Sequence, residues 1–171
     1  MNTEIKTYRP SLVFYKANAK CTGCAMKMEM HPSHDQTSGC IMVTLANQMT
    51  IGDRRGPNPT YPTFDWENAI RVKLDFIDLS KMLQVFRGEC ESIDDGRSLV
   101  HCSPEGLAYI RLEHLVEPIP GYRLEVKLYA GEGRIEQRSI MLMPYEALGL
   151  VAAIESSFGV ICFGVPMVEN S

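Results

Sequence analysis

Residues 64–88 read FDWENAIRVKLDFIDLSKMLQVFRG, and the hydrophobic period changes partway along them. From Ile70 the repeat is two. Ile70, Val72, Leu74 and Phe76 share one parity, while Arg71, Lys73 and Asp75 share the other. Successive strand side chains point to opposite faces, so this predicts a half-buried strand with a basic outer face. Leu79, Met82, Leu83 and Phe86 then recur at helical spacing. Asp78 is the expected N-cap of that helix, and Gly88 its expected stop.

Before this stretch the chain reads as more strands. In SLVFYKANAK (11–20), Leu12 and Phe14 alternate with Val13 and Tyr15 until Asn18. Cys24, Met26, Met28 and Met30 share one parity and Ala25, Lys27 and Glu29 the other, up to Pro32. HPSHDQTSG (31–39) is a polar loop, and CIMVTLANQMTI (40–51) is β-branched and apolar. GDRRGPNPTYPT (52–63) is dense in Gly and Pro and must be irregular, with Arg54 and Arg55 exposed on it. Residues 11–88 are therefore four strands followed by a helix.

The second half repeats the plan. SLVHCS (98–103), LAYIRLEHL (107–115), YRLEVKLYA (122–130) and RIEQRSIMLM (134–143) are four strand candidates. Pro144 opens a helix at its first position, with Leu148, Val151, Ala152 and Ile154 on one stripe and Gly159 as its end. The predicted second unit is 98–159, with 160–171, opening VICFGVP, as an apolar C-terminal tail. Strands before helix in each unit imply antiparallel sheets with helices packed on one side, an α+β fold. The order is not a βαβ alternation, which argues against a doubly wound nucleotide-binding fold. A chain of 171 residues suits one domain, 1–171, with its own core.

Composition narrows the function classes. No uninterrupted run of eighteen apolar residues exists, so no membrane partner is expected. MNTEIKTYRP lacks the apolar segment of a secretory signal. A cytoplasmic protein with six reduced cysteines is expected, nucleoid-associated if the source is prokaryotic or phage. The net charge is −4, unevenly spread. Residues 1–60 carry 7 Lys+Arg and 4 Asp+Glu, a balance of +3, and residues 61–171 carry 10 and 17, a balance of −7. The first third is the more basic part.

KCTGCAMK (20–27) has three readings. Strand parity puts Cys24 inward and Cys21 on the other side of a turn at Thr22-Gly23, which favours space-filling cysteines. A zinc site of Cys21, Cys24, His31 and His34 is the alternative; it would need that turn to bring all four to one ion. A redox pair would need a helix start after a strand, and neither flank supplies one. His101 and Cys102 are adjacent on a strand and so face opposite ways, which argues against a nucleophile–base pair. No Gly-rich phosphate loop and no paired-carboxylate motif is present. A non-enzyme without a cofactor is expected.

YKANAKCTGCAMKMEM (15–30), FDWENAIRVKLDFIDLSKMLQVFRG (64–88), LVHCSPEGLAYIRL (99–112) and GYRLEVKL (121–128) together carry a family resemblance. Over about residues 12–158 the chain resembles the Whirly and positive-cofactor-four-like single-stranded nucleic-acid-binding proteins. AKCTGCAM (19–26) is similar to the Lys-Gly-Lys-Ala-Ala-Leu-type segment of Whirly proteins but departs from it: Cys21 and Cys24 stand where small residues are the rule. The resemblance implies binding of single-stranded DNA, or RNA, with little sequence specificity, in transcription, replication or recombination.

Such binding needs cations for phosphates and rings for bases. The candidate contacts are Lys16, Lys20, Lys27, Arg54, Arg55, Arg71 and Lys73 from the first half, and Tyr109, Arg111, Arg123 and Lys127 from the second. Trp66, the sole tryptophan, is the foremost ring, although Asp65 and Glu67 beside it would repel phosphate and a packing role is equally in keeping with its size. The apolar second helix and tail need cover, so a homo-oligomer is expected, a tetramer before a dimer. The alternative function is a zinc-stabilised protein-interaction module or an oligomeric scaffold.

Overall fold

The computed structural model of the chain describes residues 11–34 and 37–165. Ser11–Lys16 (β1), Cys24–His31 (β2), Cys40–Asn47 (β3) and Ile70–Leu74 (β4) lead into the helix Phe76–Phe86 (α1). Leu99–Ser103 (β5), Gly106–Leu115 (β6), Gly121–Ala130 (β7) and Ile135–Leu142 (β8) lead into Pro144–Phe163 (α2). Each set of four strands forms an antiparallel meander, in the order β1-β2-β3-β4 and β5-β6-β7-β8. The expected pair of strand-then-helix units is present.

One core serves both units. It joins Met26, Leu45 and Ile70 of the first sheet, Ile110, Val126 and Leu142 of the second, Leu79 and Met82 of α1 and Leu150 and Ile154 of α2. Each such side chain contributes roughly 1.5–3 kcal/mol by leaving water. The parity read from β2 holds for Cys24, Met26 and Met28, all buried, while Met30 at the strand end is 39% exposed.

Helix boundaries differ from the sequence expectation. Asp75, not Asp78, is the N-cap of α1: its Oδ1 accepts from the backbone N–H of Ile77 (2.8 Å) and Asp78 (3.0 Å). The Asp78 carboxylate accepts in return from the Asp75 N–H at 3.0 Å, which completes a capping box. Phe76, expected inward on the strand, is therefore the first helical residue and is exposed. Gly88 does end the helix, at φ 74°.

α2 runs four residues beyond Gly159, so residues 160–163 of the expected tail are helical; residues 166–171 lie outside the described residues. The continuation has a tertiary cause. The β2–β3 loop donates Ser33 N–H to the Val160 carbonyl and Gly39 N–H to the Ile161 carbonyl, both at 3.2 Å. The Ile161 carbonyl, which the helix end leaves open, is thereby satisfied, and the Val160 carbonyl, which also accepts from the Gly164 N–H at 2.9 Å, gains a second donor. As a helix, Pro144–Phe163 is also long and apolar enough, by length and composition, to cross a membrane, although its apolar residues are interrupted by polar ones. Its stripe Ala147, Leu150, Ile154 and Ile161 is buried in the core.

Candidate nucleic-acid interface

Strand register builds the outer face of the first sheet in rows. Tyr15, Ala25 and Ala46 form one row; Val13, Lys27, Thr44 and Arg71 the next; Ser11, Glu29, Met42 and Lys73 the third. The first row is the floor of a satellite cluster: Ala25, Ala46, Phe64 and Ala69 are buried, with Trp66 packed against them. Ala25 and Ala46 are small enough to let the loop before β4 lie flat on the sheet, which carries Phe64 and Trp66 over the strands.

Beside that loop opens a cleft of about 730 Å³ lined by Tyr15, Ala17, Arg54, Tyr61, Pro62, Thr63, Phe64 and Trp66. The Tyr15 and Phe64 ring centroids are 5.4 Å apart, and the Arg54 guanidinium lies 5.6 Å from the Tyr61 ring centre. Tyr15 is 61% exposed, and Trp66 is half-buried. Trp66 thus both packs on the alanine floor and lines the cleft.

The cations sort into groups. Lys20, Arg54, Arg55, Arg71 and Lys73 are all exposed, with Arg71 and Lys73 on the outer face of the sheet and Arg54 lining the cleft, and no carboxylate ion pair engages them among the described residues. Arg71 donates to the Trp66 carbonyl at 3.3 Å. Lys27 sits 5.9 Å from the Trp66 ring centre but is paired with Glu29 at 3.1 Å. Lys16 does not join the face. It lies on the inner parity, and its Nζ donates to Glu146 Oε1 and Oε2 at 2.7 and 2.6 Å, tying β1 to the start of α2.

The second-half candidates lie apart, on the outer face of the other sheet. Arg123 Nε donates to Glu113 at 2.6 Å, Arg111 donates to the Gly96 carbonyl at 3.3 Å, and Lys127 stands 5.1 Å from the Tyr129 ring centre. Tyr109 and Tyr129 meet edge to face at 5.4 Å. With Glu113 and Glu125 in the same rows, this face holds less unpaired positive charge than the first.

The four residues of the zinc alternative do not converge. Cys24 and His31 occupy opposite ends of β2, seven residues or roughly 23 Å apart along an extended chain. No group of three or more His, Cys, Asp or Glu able to hold a metal ion occurs among the described residues. Burial pushes the Cys24 thiol up to about 11, so it stays protonated at neutral pH in this apolar setting. Cys21 sits in the turn after Asn18 at φ 55°, with Sγ 3.8 Å from the Gln48 carbonyl oxygen. His101 and Cys102 do face opposite ways: His101 Nε2 meets Asp78 Oδ2 at 3.0 Å, while Cys102 is exposed.

Two residues that shape the site went unread in the sequence. Gln48 is buried beneath the Asn18–Gly23 turn and uses both amide atoms twice. Its Oε1 accepts from Asn18 N–H (2.9 Å) and Gly23 N–H (3.2 Å); its Nε2 donates to the Asn18 and Thr50 carbonyls, both at 3.0 Å. A Cβ at Gly23 would fall 2.1 Å from the Lys16 carbonyl oxygen and 2.4 Å from Gln48 Oε1, so only glycine fits there. Arg138 lies on the inward parity of β8, opposite Val126, and reaches under the loop that bears Trp66. The alternation of Ile140 and Leu142 was the available signal for it.

The backbone is similar to solved structures. WHY1 of Arabidopsis thaliana matches with a TM-score of 0.72 at 12% identity, over 92% of this chain and 87% of that one. The plant transcriptional regulator PBF-2 matches with a TM-score of 0.69 at 14% identity, over 91% and 83%. A guideRNA-binding protein complex bound to a gRNA matches with a TM-score of 0.59 at 11% identity, over 90% and 92%. No protein-family model and no curated protein matches by sequence. Two four-stranded antiparallel meanders, each closed by a helix and packed about one core, make this a Whirly-like fold.

Proposed function

We propose that this protein binds single-stranded nucleic acid on the outer face of its first sheet. The observation that carries the reading is the cleft of Tyr15, Arg54, Tyr61, Phe64 and Trp66 beside a sheet face that bears Arg71 and Lys73, all three cations being without a carboxylate ion pair among the described residues. Ring faces accept any base, and each stacked base contributes on the order of 1–3 kcal/mol. The cations take phosphates without reading sequence. A duplex hides its base faces, so single strands are preferred. The guideRNA-binding complex and the plant transcriptional regulator among the similar structures support nucleic acid as the ligand class. DNA is the preferred strand here, in transcription, replication or recombination, with no catalytic step and a cytoplasmic setting.

We further propose a homo-oligomer, a tetramer before a dimer. Tyr145 and Leu148 are 70% and 74% exposed on α2, and Phe163 at its end is 89% exposed. Apolar surface of this extent on one helix calls for a covering partner. A monomeric mass by light scattering at micromolar concentration would refute the assembly. For binding, labelled single strands and duplexes of equal length are titrated at several salt concentrations. Tighter single-strand binding is expected, and equal affinity for both, or none at low salt, overturns the proposal.

A further inference from the structure

Arg138 belongs to the second sheet, yet its contacts lead into the first. Its side chain is only 13% exposed. One terminal nitrogen donates to the Asn68 carbonyl at 3.3 Å and lies 3.2 Å from Glu136 Oε2; the other donates to the Gln137 carbonyl at 3.0 Å. Its Nε is buried with no hydrogen-bond partner among the described residues. The one carboxylate paired with it among the described residues, Glu136, is shared with Arg134 at 3.0 Å. Burying a guanidinium so incompletely paired costs stability, and a hydrophobic side chain at this inward position would avoid that cost.

The Asn68 carbonyl that Arg138 holds closes a short loop. Asn68 Nδ2 donates to both Asp65 carboxylate oxygens, at 3.1 and 3.0 Å, and Asn68 N–H donates to Oδ1 at 3.2 Å. These bonds, with Arg138 adding a smaller share, hold the Asp65 carboxyl below its usual range, so it stays ionised and gripped. Arg71 holds the Trp66 carbonyl from the sheet side. Residues 65–68 are thus clamped by Arg71 at one end and by Arg138, from the other sheet, at the other.

We infer that Arg138 is a positioning residue: by holding Asn68 it sets the seat of Trp66 on the first sheet, so the second unit governs the geometry of the first unit's base-stacking cleft. For its effect on binding, the inference rests on the proposed function. For the position of Trp66 it does not, and the two separate experimentally. Trp66 is the sole tryptophan, so intrinsic fluorescence reports its seat directly.

The test compares Arg138→Gln and Arg138→Lys with the parent protein. Without ligand, the Gln variant is expected to shift Trp66 emission to longer wavelength and raise its quenching by acrylamide, with an unchanged far-ultraviolet circular dichroism spectrum. With a labelled oligo(dT) single strand, affinity is expected to fall about tenfold, the loss of one stacked base, while the salt slope stays that of the parent. The Lys variant, which keeps the charge but not the fork, is expected to fall between the two. If the Gln variant does not fold, the Lys variant carries the same readouts. Unchanged emission and quenching in a folded variant overturns the inference. Changed emission with unchanged affinity upholds the positioning of Trp66 and refutes Trp66 as the stacking contact.

Discussion

Replacing Gln48 by Leu removes a polar anchor while keeping similar volume. Three backbone groups lose their only partner at once, the N–H of Asn18, the N–H of Gly23 and the carbonyl of Thr50, while the Asn18 carbonyl keeps the Cys21 N–H at 3.2 Å. The Gly23 bond is fully buried and the other two are partly buried. A buried group left without its hydrogen bond costs about 1–3 kcal/mol. Counting one full penalty and two screened ones, the expected loss is about 2–4 kcal/mol. Water cannot readily replace the amide at Gly23, because that backbone sits against the Lys16 carbonyl. For a domain of this size the loss corresponds to a fall in Tm of roughly 4–16 °C. Urea unfolding followed by circular dichroism, at one fixed protein concentration, measures it, and Gln48→Glu serves as the control that keeps an acceptor. The turn bearing Lys20 should loosen as well, so limited proteolysis at residues 18–23 should quicken. A loss below about 1 kcal/mol would refute the reasoning, since it would mean these groups find water in the folded state.

Three further outcomes are expected. Trp66→Ala should weaken single-strand binding roughly five- to hundredfold with an unchanged salt slope, whereas Arg71→Ala with Lys73→Ala should flatten the slope by about one to two units for every sequence alike. The Asp78 carboxyl is held above its usual range, chiefly by burial, despite the Asp75 N–H and His101 beside it. A raised acid pKa means the folded state holds the proton more tightly, so the contribution of Asp78 to stability rises as pH falls from neutral through the folded pKa toward about 4. Asp78→Asn lacks that gain, so its stability relative to the parent should decline as pH falls through this window; parallel urea-unfolding profiles would contradict the assignment. Native alkylation with mass spectrometry should label exposed Cys102 and Cys162 and spare buried Cys24 and Cys40, and a chelator should leave the melting temperature unchanged.

Much of the architecture was legible because it rests on period. The change from two to helical spacing after Ile70, and its counterpart before Pro144, are local properties of apolar and polar order. The turns of the Gly- and Pro-dense segments are equally local. The capping box of Asp75 and Asp78 was legible too, three residues apart, but Asp75 also fitted the strand's outer parity, and the helix start was read three residues late. Trp66 could be named as a ring worth watching, yet its setting could not be read. That setting depends on Ala25 and Ala46, twenty or more residues earlier, being small enough for the loop to lie on them.

Which candidates share a surface was decided by tertiary structure alone. Lys16 and Lys20 look alike in sequence, but packing of α2 places Glu146 on Lys16 and leaves Lys20 exposed. The cations of β6 and β7 satisfy the same outward parity as Arg71 and Lys73, but they belong to another sheet. Gln48 and Arg138 draw their roles from partners 25 to 70 positions away. The sequence by itself determined the order of strands and helices, because alternation and helical spacing are set by neighbours a few residues apart. The tertiary structure decided the site and the end of α2, because burial, ion pairing and the satisfaction of backbone groups depend on neighbours that only folding brings together.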